Sequence, residues 1–424
     1  MLFLGYANSM EQTINRSIKQ YDNGLRLVVE QMPNFKSVVL SVEVTVGSGD
    51  ELPNEQGLSH FCEHMLFKGT KRRTGQQIID EFSMLSVDYN AWTSESATCY
   101  HTKGIADNLE QCMDILSDMY FNLQFTDEDF DKEGDVIVQE ICMHGDNPDW
   151  LLADELNMAY FKGTKYEHPV AGFAKAIKQY QPTDIYNYVK KHYIAPNTII
   201  SLAGDITMER AEKLVQKYFL ANYVKTAAKP KVRDNVPAIC PAVVQVKKKK
   251  DTAQQHVALV FPACNQFDTD RHALKLFLLI FGYDMSSRLF INVREKLGLV
   301  YSIRASMELS DIGGYLDVSF SCTPKNTKKV IATVLQEIQK LHAEGITAQE
   351  LAKAQNFCRV KRLFASESTL ATNAHNAEEL REYGQIKTTE EYLKVIDALT
   401  VADVNAVIKK YLLPEKMSTV VVGK

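Results

Sequence analysis

Residues 57–69 read Gly-Leu-Ser-His-Phe-Cys-Glu-His-Met-Leu-Phe-Lys-Gly. His60 and His64 stand four residues apart in this stretch, and Glu63 comes three residues after the first histidine. On a helix with about 3.6 residues per turn, these three side chains share one face. Two imidazoles at this spacing can bind one zinc ion, while the carboxylate lies beside the water that zinc activates. The stretch therefore predicts a metal-binding helix.

The plainer alternative is a surface helix that carries two histidines and a glutamate by chance. The chain has 10 histidines in 424 residues, so an accidental match is a real risk. The other positions, however, are mostly apolar, and ionisable groups on such a helix need partners because burying them unpaired is costly. We therefore favour the metal site. The apolar positions are Leu58, Phe61, Met65, Leu66 and Phe67.

The composition describes an ordinary globular protein with more than one domain. The 424 residues exceed the size of one ordinary core, and 45% of them are hydrophobic and 24% charged. A net charge of -5 at pH 7 gives no reason to expect nucleic acid as a partner. No apolar run approaches the length of a membrane span, so we expect no membrane partner either.

The cysteines and the N-terminus bear on the cellular compartment. The 8 cysteines are scattered and form no Cys-x-x-Cys pair, which argues against a structural zinc site and a disulfide framework. Cys62 lies between the two histidines but points away from them, and we expect it to be a packed core thiol. The apolar residues 1–7 lack a basic flank, so a secretory signal is not expected. We predict a cytoplasmic protein, or an organellar matrix protein if a presequence has been removed.

Segments of both strand and helix character follow one another in the first half. Leu25–Glu30 and Ser37–Val46 alternate and are rich in β-branched residues, which predicts strands before the metal helix. Beyond it we predict helices at Thr74–Ser83, Asn108–Phe121, Thr126–Met143, Thr183–Tyr193 and Met208–Tyr218, an extended segment at Tyr89–His101 and a strand at Ile199–Gly204.

The end of the second half repeats the end of the first. A helix, an aromatic residue, a proline, an apolar strand and a glycine occur in this order in residues 183–204 and in residues 400–423. Lys, Pro and Ala dominate residues 226–250, which indicates a linker. We therefore predict an α+β protein of two similar mixed α/β domains, residues 1–225 and 251–424, related by internal duplication. The alternative is that helix-Pro-strand is simply a common transition.

A catalytic zinc usually has three protein ligands and one open position, so the chain should supply a third ligand. Glu133 and Glu140 are the candidates, because seven residues on a helix place both carboxylates on one face. Spacing alone does not say which of them binds the metal, and two solvated glutamates are the alternative. The corresponding part of the second half, residues 272–281, has no such motif, so only the first domain is expected to bind zinc.

The His-x-x-Glu-His motif and the later Glu-x6-Glu pair resemble the signature of the pitrilysin-type zinc peptidases, or inverzincins. Insulin-degrading enzyme and mitochondrial processing peptidase belong to this family. The resemblance covers nearly the whole chain and includes processing-peptidase β-like and small bacterial two-domain members. It implies the processing-peptidase or LuxS-like metallohydrolase fold and one Zn²⁺ per chain. By this resemblance His60, His64 and Glu140 are the ligands, Glu63 is the general base, and Glu133 supports the site from behind a ligand.

The second half carries another segment of the family. Residues 285–302 read Met-Ser-Ser-Arg-Leu-Phe-Ile-Asn-Val-Arg-Glu-Lys-Leu-Gly-Leu-Val-Tyr-Ser and look like its S-S-R-L-F…R-E-x-x-G-L-x-Y segment. The resemblance implies that Arg294 and Tyr301 hold the substrate near the scissile bond, where one donor to the oxyanion typically contributes about 3 kcal/mol. Without the family, they would be interpreted as a helix-end arginine and a core tyrosine.

Residues 89–93, Tyr-Asn-Ala-Trp-Thr, resemble the family's Asn-Ala-x-Thr edge strand. In the family an extended substrate adds to this edge, and main-chain hydrogen bonds bind almost any unfolded peptide. Many members carry a glycine pair before this segment and before the Arg–Tyr segment, whereas Ser86-Val87 and Gly282-Tyr283 stand here. The departure puts the tightness of those turns in question. The implied substrate-binding residues are Asn90, Ala91 and Thr93.

We therefore predict a zinc metallopeptidase that hydrolyses unfolded peptides or oligopeptides. Larger family members enclose the substrate with four such domains, so the resemblance implies that two chains of this size pair, each lending its second domain to the other's zinc site. Because this chain carries both the zinc motif and the Arg–Tyr pair, we expect a homodimer. Two alternatives are a non-peptidase scaffold, like respiratory-complex core subunits, and a dedicated presequence or peptide-maturation protease. The intact acidic and histidine positions disfavour the scaffold.

Overall fold

The computed structural model describes residues 15–223, 236, 238–239 and 241–424. The apolar N-terminus and most of the predicted linker lie outside the described residues. The strands are β1 (Asn15–Gln20), β2 (Arg26–Gln31), β3 (Ser37–Val44), β4 (Asp88–Thr93), β5 (Thr98–Ile105), β6 (Thr198–Gly204), β7 (Gln245–Lys248), β8 (Gln255–Ala263), β9 (Ile303–Ser310), β10 (Gly313–Cys322) and β11 (Ser418–Val422). The helices are α1 (Leu58–Met65), α2 (Gly75–Met84), α3 (Leu109–Phe121), α4 (Asp127–Asp146), α5 (Pro148–Tyr160), α6 (Ala174–Ile177), α7 (Pro182–His192), α8 (Met208–Val215), α9 (Asp270–Leu278), α10 (Thr327–Glu344), α11 (Ala348–Ser366), α12 (Thr369–Tyr383), α13 (Thr389–Ala398) and α14 (Val401–Tyr411).

The two halves build sheets of the same topology. The first sheet has the strand order β1-β2-β6-β3-β5-β4, and the second has the order β7-β11-β8-β10-β9. The pairs β2–β6 and β7–β11 are parallel, and the remaining neighbours are antiparallel. From β2 onward, the first sheet therefore matches the second strand for strand. The predicted α+β class and internal duplication are confirmed.

Local sequence signals account for most of the first half. Strand β6 lies inside the first sheet and its residues are all buried, as its apolar run requires. Helix α2 begins after Thr74, whose hydroxyl accepts a hydrogen bond from the Gln77 main-chain N–H. Thr126 caps α4 in the same way through Asp129. The predicted segments therefore occur where the pattern places them, within a few residues at each end.

Two segments differ from the sequence-based prediction. The composition predicts that Gln245–Lys248 belongs to the linker, but these residues form β7, which pairs in parallel with β11. This Gln-Val-Lys-Lys strand has no recognisable pattern, because its partner strand rather than its own side chains determines its conformation. The predicted helix Met208–Tyr218 is regular only to Val215 and continues as a wider π-helical turn.

Helix α5, from the first half, covers the sheet of the second half. Its buried residues Leu152, Leu156 and Tyr160 pack against strands β8 and β11. The Tyr160 hydroxyl also donates a 2.7 Å hydrogen bond to the carbonyl oxygen of Gly314. The two halves on either side of the predicted linker, residues 226–250, therefore pack directly against each other.

Helix α12, from the second half, makes the reciprocal contact with the first sheet. Asn373 donates from Nδ2 to the Ser201 carbonyl at 2.7 Å and accepts at Oδ1 from the Ser41 hydroxyl at 2.8 Å. Arg381 pairs with the buried Glu43 at 2.7 Å, which satisfies a charge inside the interface. Each half thus supplies one layer of the other's packing.

Ser86, in the turn before β4, and Gly282, in the second half, stand where the resemblance predicts glycine pairs. Ser86 has φ 51° and is the only non-glycine residue with a positive φ among the described residues. Gly282, in the second half, has an ordinary negative φ, but a Cβ there would lie 2.7 Å from Ala305. A side chain at position 86 is therefore strained, whereas position 282 needs glycine for close approach.

We predict that Ser86→Gly stabilises the protein by about 1 kcal/mol. The left-handed conformation costs a residue with a Cβ about 1–2 kcal/mol. Glycine avoids this cost but loses more conformational entropy on folding, which reduces the net gain in stability. Urea unfolding measures the change. Ser83→Gly, within α2, is the matched control and should destabilise by up to about 1 kcal/mol. Equal destabilisation by both variants would contradict the assignment of strain to Ser86.

Candidate active site

Helix α1 is held by its apolar face. Phe61, Cys62 and Met65 are completely buried, and the Phe61 ring stacks on Phe130 of α4 with centroids 5.0 Å apart. Burial raises the pKa of the Cys62 thiol well above its ordinary value, which fits the predicted core role. The helix also contacts α7 and strands β4 and β5. Its remaining face presents the histidines and the glutamate.

Three donor atoms converge at this face. His60, His64 and Glu140 form a group whose ligand atoms lie within 4.8 Å of one another. The two Nε2 atoms are 3.3 Å apart, and Glu140 Oε2 lies 3.8 Å from that of His60 and 3.7 Å from that of His64. Bonds of about 2.0–2.1 Å in tetrahedral geometry separate neighbouring donors by about 3.3 Å. The donor set therefore fits zinc and leaves a fourth position for another ligand.

The protonation of His60 also suits a metal. Burial, reinforced by the neighbouring His64 and His144, lowers the pKa of His60 to about 3. The ring is therefore neutral near pH 7 and has a lone pair to offer a cation. Its Nδ1 atom is buried without a hydrogen-bond partner.

Glu133 lies behind His64 rather than beside the other donors. Its Oε1 is 2.8 Å from His64 Nδ1, and its Oε2 is 2.5 Å from Lys68 Nζ. Burial raises the pKa of Glu133, but the bonds to His64 and Lys68 outweigh this and lower it overall. The Glu133 carboxylate accepts a hydrogen bond from His64 Nδ1–H, which orients the ring so that Nε2 faces the donor group. The structure thus distinguishes the positions of Glu133 and Glu140, which their spacing in the sequence does not.

Glu63 lies on the same face of α1 but outside the donor group. It is only 9% exposed, and its Oε2 accepts a 2.5 Å hydrogen bond from the Thr93 hydroxyl. Burial raises the pKa of Glu63 above its ordinary value. Thr93, predicted as a substrate-binding residue, thus uses its side chain to orient Glu63.

Strand β4 ends the first sheet and is paired only with β5 among the described residues. Its other edge is therefore available for main-chain hydrogen bonds. Asn90 and Ala91 lie on it, and Asn90 Oδ1 accepts a 2.9 Å bond from the Ala91 N–H. Trp92 lines a cavity of about 460 Å³ that the two halves share. An extended peptide on this edge would end beside Thr93 and Glu63.

Sequence reasoning missed His144, which lies one helical turn beyond Glu140. His144 Nε2 is 4.0 Å from Glu140 Oε1, and its ring lies 4.4 Å from that of Trp150. The i, i+4 spacing on α4 was the available signal. His144 therefore faces the carboxylate oxygen that points away from the two histidines.

Arg294 and Tyr301 are the predicted residues that the chain does not bring to this site. The Arg294 guanidinium lies 3.2 Å from Glu295, 4.5 Å from the centroid of the Phe290 ring and 5.8 Å from that of the Tyr301 ring. Tyr301 is 79% exposed. Within the described part of the chain, neither residue shares a hydrogen bond or ion pair with the zinc-motif residues.

Family models match both halves of the chain. The model described as insulinase (peptidase family M16) matches residues 26–173, and the model described as peptidase M16 inactive domain matches residues 179–357. The chain belongs to the M16 peptidase family. The first match contains the His-x-x-Glu-His motif and the second does not, although the second begins at residue 179, within the first domain.

Similar proteins support this M16 assignment. An uncharacterized zinc protease of Bacillus subtilis is 29% identical over 399 residues, covering 93% of this chain and 95% of that protein. One from Mycobacterium leprae is 28% identical, covering 94% of this chain and 90% of that protein. The crystal structure of a protease from Helicobacter pylori, at 20% identity, has a TM-score of 0.88 and covers 96% of this chain and 99% of its own. The Helicobacter pylori structure therefore has the same fold as this chain. Among the described helices, none combines the length and apolarity needed to cross a membrane.

We expect Glu133→Ala to weaken zinc binding 10- to 100-fold, because a metal-ligating histidine depends on the acceptor behind it. Competition with a chromophoric chelator measures the affinity. Glu128→Ala on the same helix is the control, since that exposed carboxylate pairs with Lys132 at the surface. Equal zinc affinity in the wild type and both variants would contradict the role of Glu133.

Proposed function

We propose that this M16 family member is a zinc-dependent endopeptidase that hydrolyses unfolded peptides or oligopeptides. The observation that carries the proposal is the convergence of His60, His64 and Glu140, with Glu63 beside them and not among them. This arrangement has three donors for one Zn²⁺ per chain, an open position and an adjacent base. The zinc-protease names of similar proteins support it.

When bound, zinc supplies Lewis acidity toward the scissile carbonyl and makes a water molecule more acidic. Glu63 acts as the general base, accepting a proton from the attacking water and delivering it to the leaving amine. Its buried position raises its pKa toward the working pH, and the Thr93 hydroxyl fixes the direction of the carboxylate. Glu133, held by Lys68, keeps the His64 ring oriented.

The free edge of β4 determines the class of substrate. An extended peptide that adds to this strand is bound through its main chain, whatever its sequence. A folded protein has few free strands to offer, so unfolded peptides are the expected substrates. Asn90 and Ala91 on β4 would contact the peptide. Thr93, at the end of the same strand, would bond to Glu63 through its hydroxyl.

The direct test is cleavage of an unstructured, internally quenched fluorescent peptide with and without a zinc chelator. We predict chelator-sensitive cleavage that trace zinc restores. Glu63→Gln should lower kcat/KM about 10²- to 10⁴-fold, the usual contribution of a general base, while zinc still binds. Glu128→Gln controls for the loss of one surface carboxylate and should cleave normally.

Two results would contradict the proposal. Full activity of zinc-loaded Glu63→Gln would exclude this residue as the base. A wild-type protein that binds no zinc and cleaves no peptide would favour the scaffold alternative.

We further propose a homodimer with composite active sites. Arg294 and Tyr301 contact each other rather than the zinc motif of their own chain, and Tyr301 is largely exposed. A second copy could therefore receive both residues at its zinc site. There their N–H and O–H groups would stabilise the oxyanion of the tetrahedral intermediate.

Subunit mixing tests this arrangement. Glu63→Gln and Arg294→Ala homodimers should both be nearly inactive. A purified heterodimer of the two, isolated with two different tags, should recover about half of the wild-type activity because one of its two composite sites is intact. Absence of recovery in verified heterodimers would mean that each chain uses its own Arg294 or that the residue has another role.

A further inference from the structure

The two histidines of the donor group are held differently. Nδ1 of His64 is bonded to Glu133, which fixes the orientation of that ring. Nδ1 of His60 is buried and has no hydrogen-bond partner. The direction of the His60 ring therefore depends on the backbone of α1 and on packing alone. Whatever fixes the first turn of α1 also fixes His60.

Glu51 binds that first turn directly. Its Oε2 accepts a 2.8 Å hydrogen bond from the N–H of Gly57, and its Oε1 accepts a 2.7 Å bond from the N–H of Ser59. Gly57 begins the helix with φ 90° and has no side chain to act as a cap. One carboxyl group from the preceding loop thus satisfies two main-chain donors immediately before His60.

The surroundings of Glu51 are closed. Its side chain is 0% exposed, and the 8% exposed His168 lies 3.8 Å away, Nε2 to Oε2. In this same first turn, the hydroxyl of Ser59 lies 2.8 Å from that of Tyr188 on α7. A Cβ on Gly57 would lie 2.7 Å from the carbonyl oxygen of Ala171. Because the start of α1 is enclosed, water has no ready route to replace the carboxylate.

We propose that Glu51 is a positioning residue of the zinc site. It holds the first turn of α1 so that His60 Nε2 meets the other two donors, a role equivalent to that of Glu133 for His64. It acts through the main chain and touches neither metal nor substrate. The inference rests on the proposed zinc function.

Glu51→Gln tests the inference, because the amide keeps the size of the side chain but its single oxygen accepts from only one of the two N–H groups. We expect zinc affinity, measured by chelator competition well below the melting temperature, to fall about 10- to 100-fold, as for other groups that orient ligands. The absorption spectrum of the Co²⁺-substituted protein should also change, because it reports ligand geometry.

Glu55→Gln is the matched control. Glu55 lies on the same loop, accepts a 3.1 Å bond from the Leu52 N–H and pairs with Lys191 at 3.0 Å, but within the described part of the chain its side chain makes no hydrogen bond to α1. Zinc affinity and the Co²⁺ spectrum should stay unchanged in this variant. Glu51→Asp, which keeps the carboxyl group but is too short to reach both N–H groups, should bind zinc more weakly than the wild type.

The outcomes separate the inference from the function on which it rests. Folded Glu51→Gln and Glu51→Asp that bind zinc within about twofold of the wild type would overturn the inference and leave the zinc function intact. Failure of both variants to fold would also overturn it, since Glu51 would then serve the fold as a whole. A wild type that binds no zinc would refute the proposed function itself.

Discussion

Burial of the apolar face of α1 is the constraint on which the site depends. Phe61 and Met65 are completely buried, and each such side chain contributes about 1.5–3 kcal/mol relative to an exposed one. Because the helix cannot rotate without exposing them, its polar face has one direction, toward Glu140 on α4. Two histidines and a distant glutamate therefore converge on one point, and Glu63 is fixed beside them by the same packing.

The exchange of α5 and α12 makes the two halves one framework. α5 leaves the end of α4, the helix that carries Glu133 and Glu140, and buries its apolar face on the second sheet. α12 bonds to β3 and β6 through Asn373 and places Arg381 against Glu43. The elements around the donor group thus pack against the half that lacks the zinc motif.

The sequence predicted features that local patterns encode. The spacing of His60 and His64 placed them on one face, and the strand and helix periods anticipated the α+β class. The pattern could not distinguish Glu133 from Glu140, because both lie on the same face of α4. They differ in which histidine nitrogen they face: Glu133 bonds to Nδ1 of His64, whereas Glu140 lies near the two Nε2 atoms. An amphipathic pattern indicates which face of a helix is buried but not which sheet covers it. The packing of α5 on the second sheet and of α12 on the first therefore cannot be predicted from the sequence. Glu51 gave no signal, because a single loop carboxylate has no periodic neighbours.

The most direct test of the central claim is X-ray absorption at the zinc edge, measured on protein loaded with one equivalent of metal. The account predicts a shell of nitrogen and oxygen alone at about 2.0–2.1 Å, with the outer scattering of two imidazole rings. Sulfur at about 2.3 Å would contradict it. Such a result would mean that a cysteine, such as Cys142 two residues beyond Glu140, binds the metal in place of the His-His-Glu group.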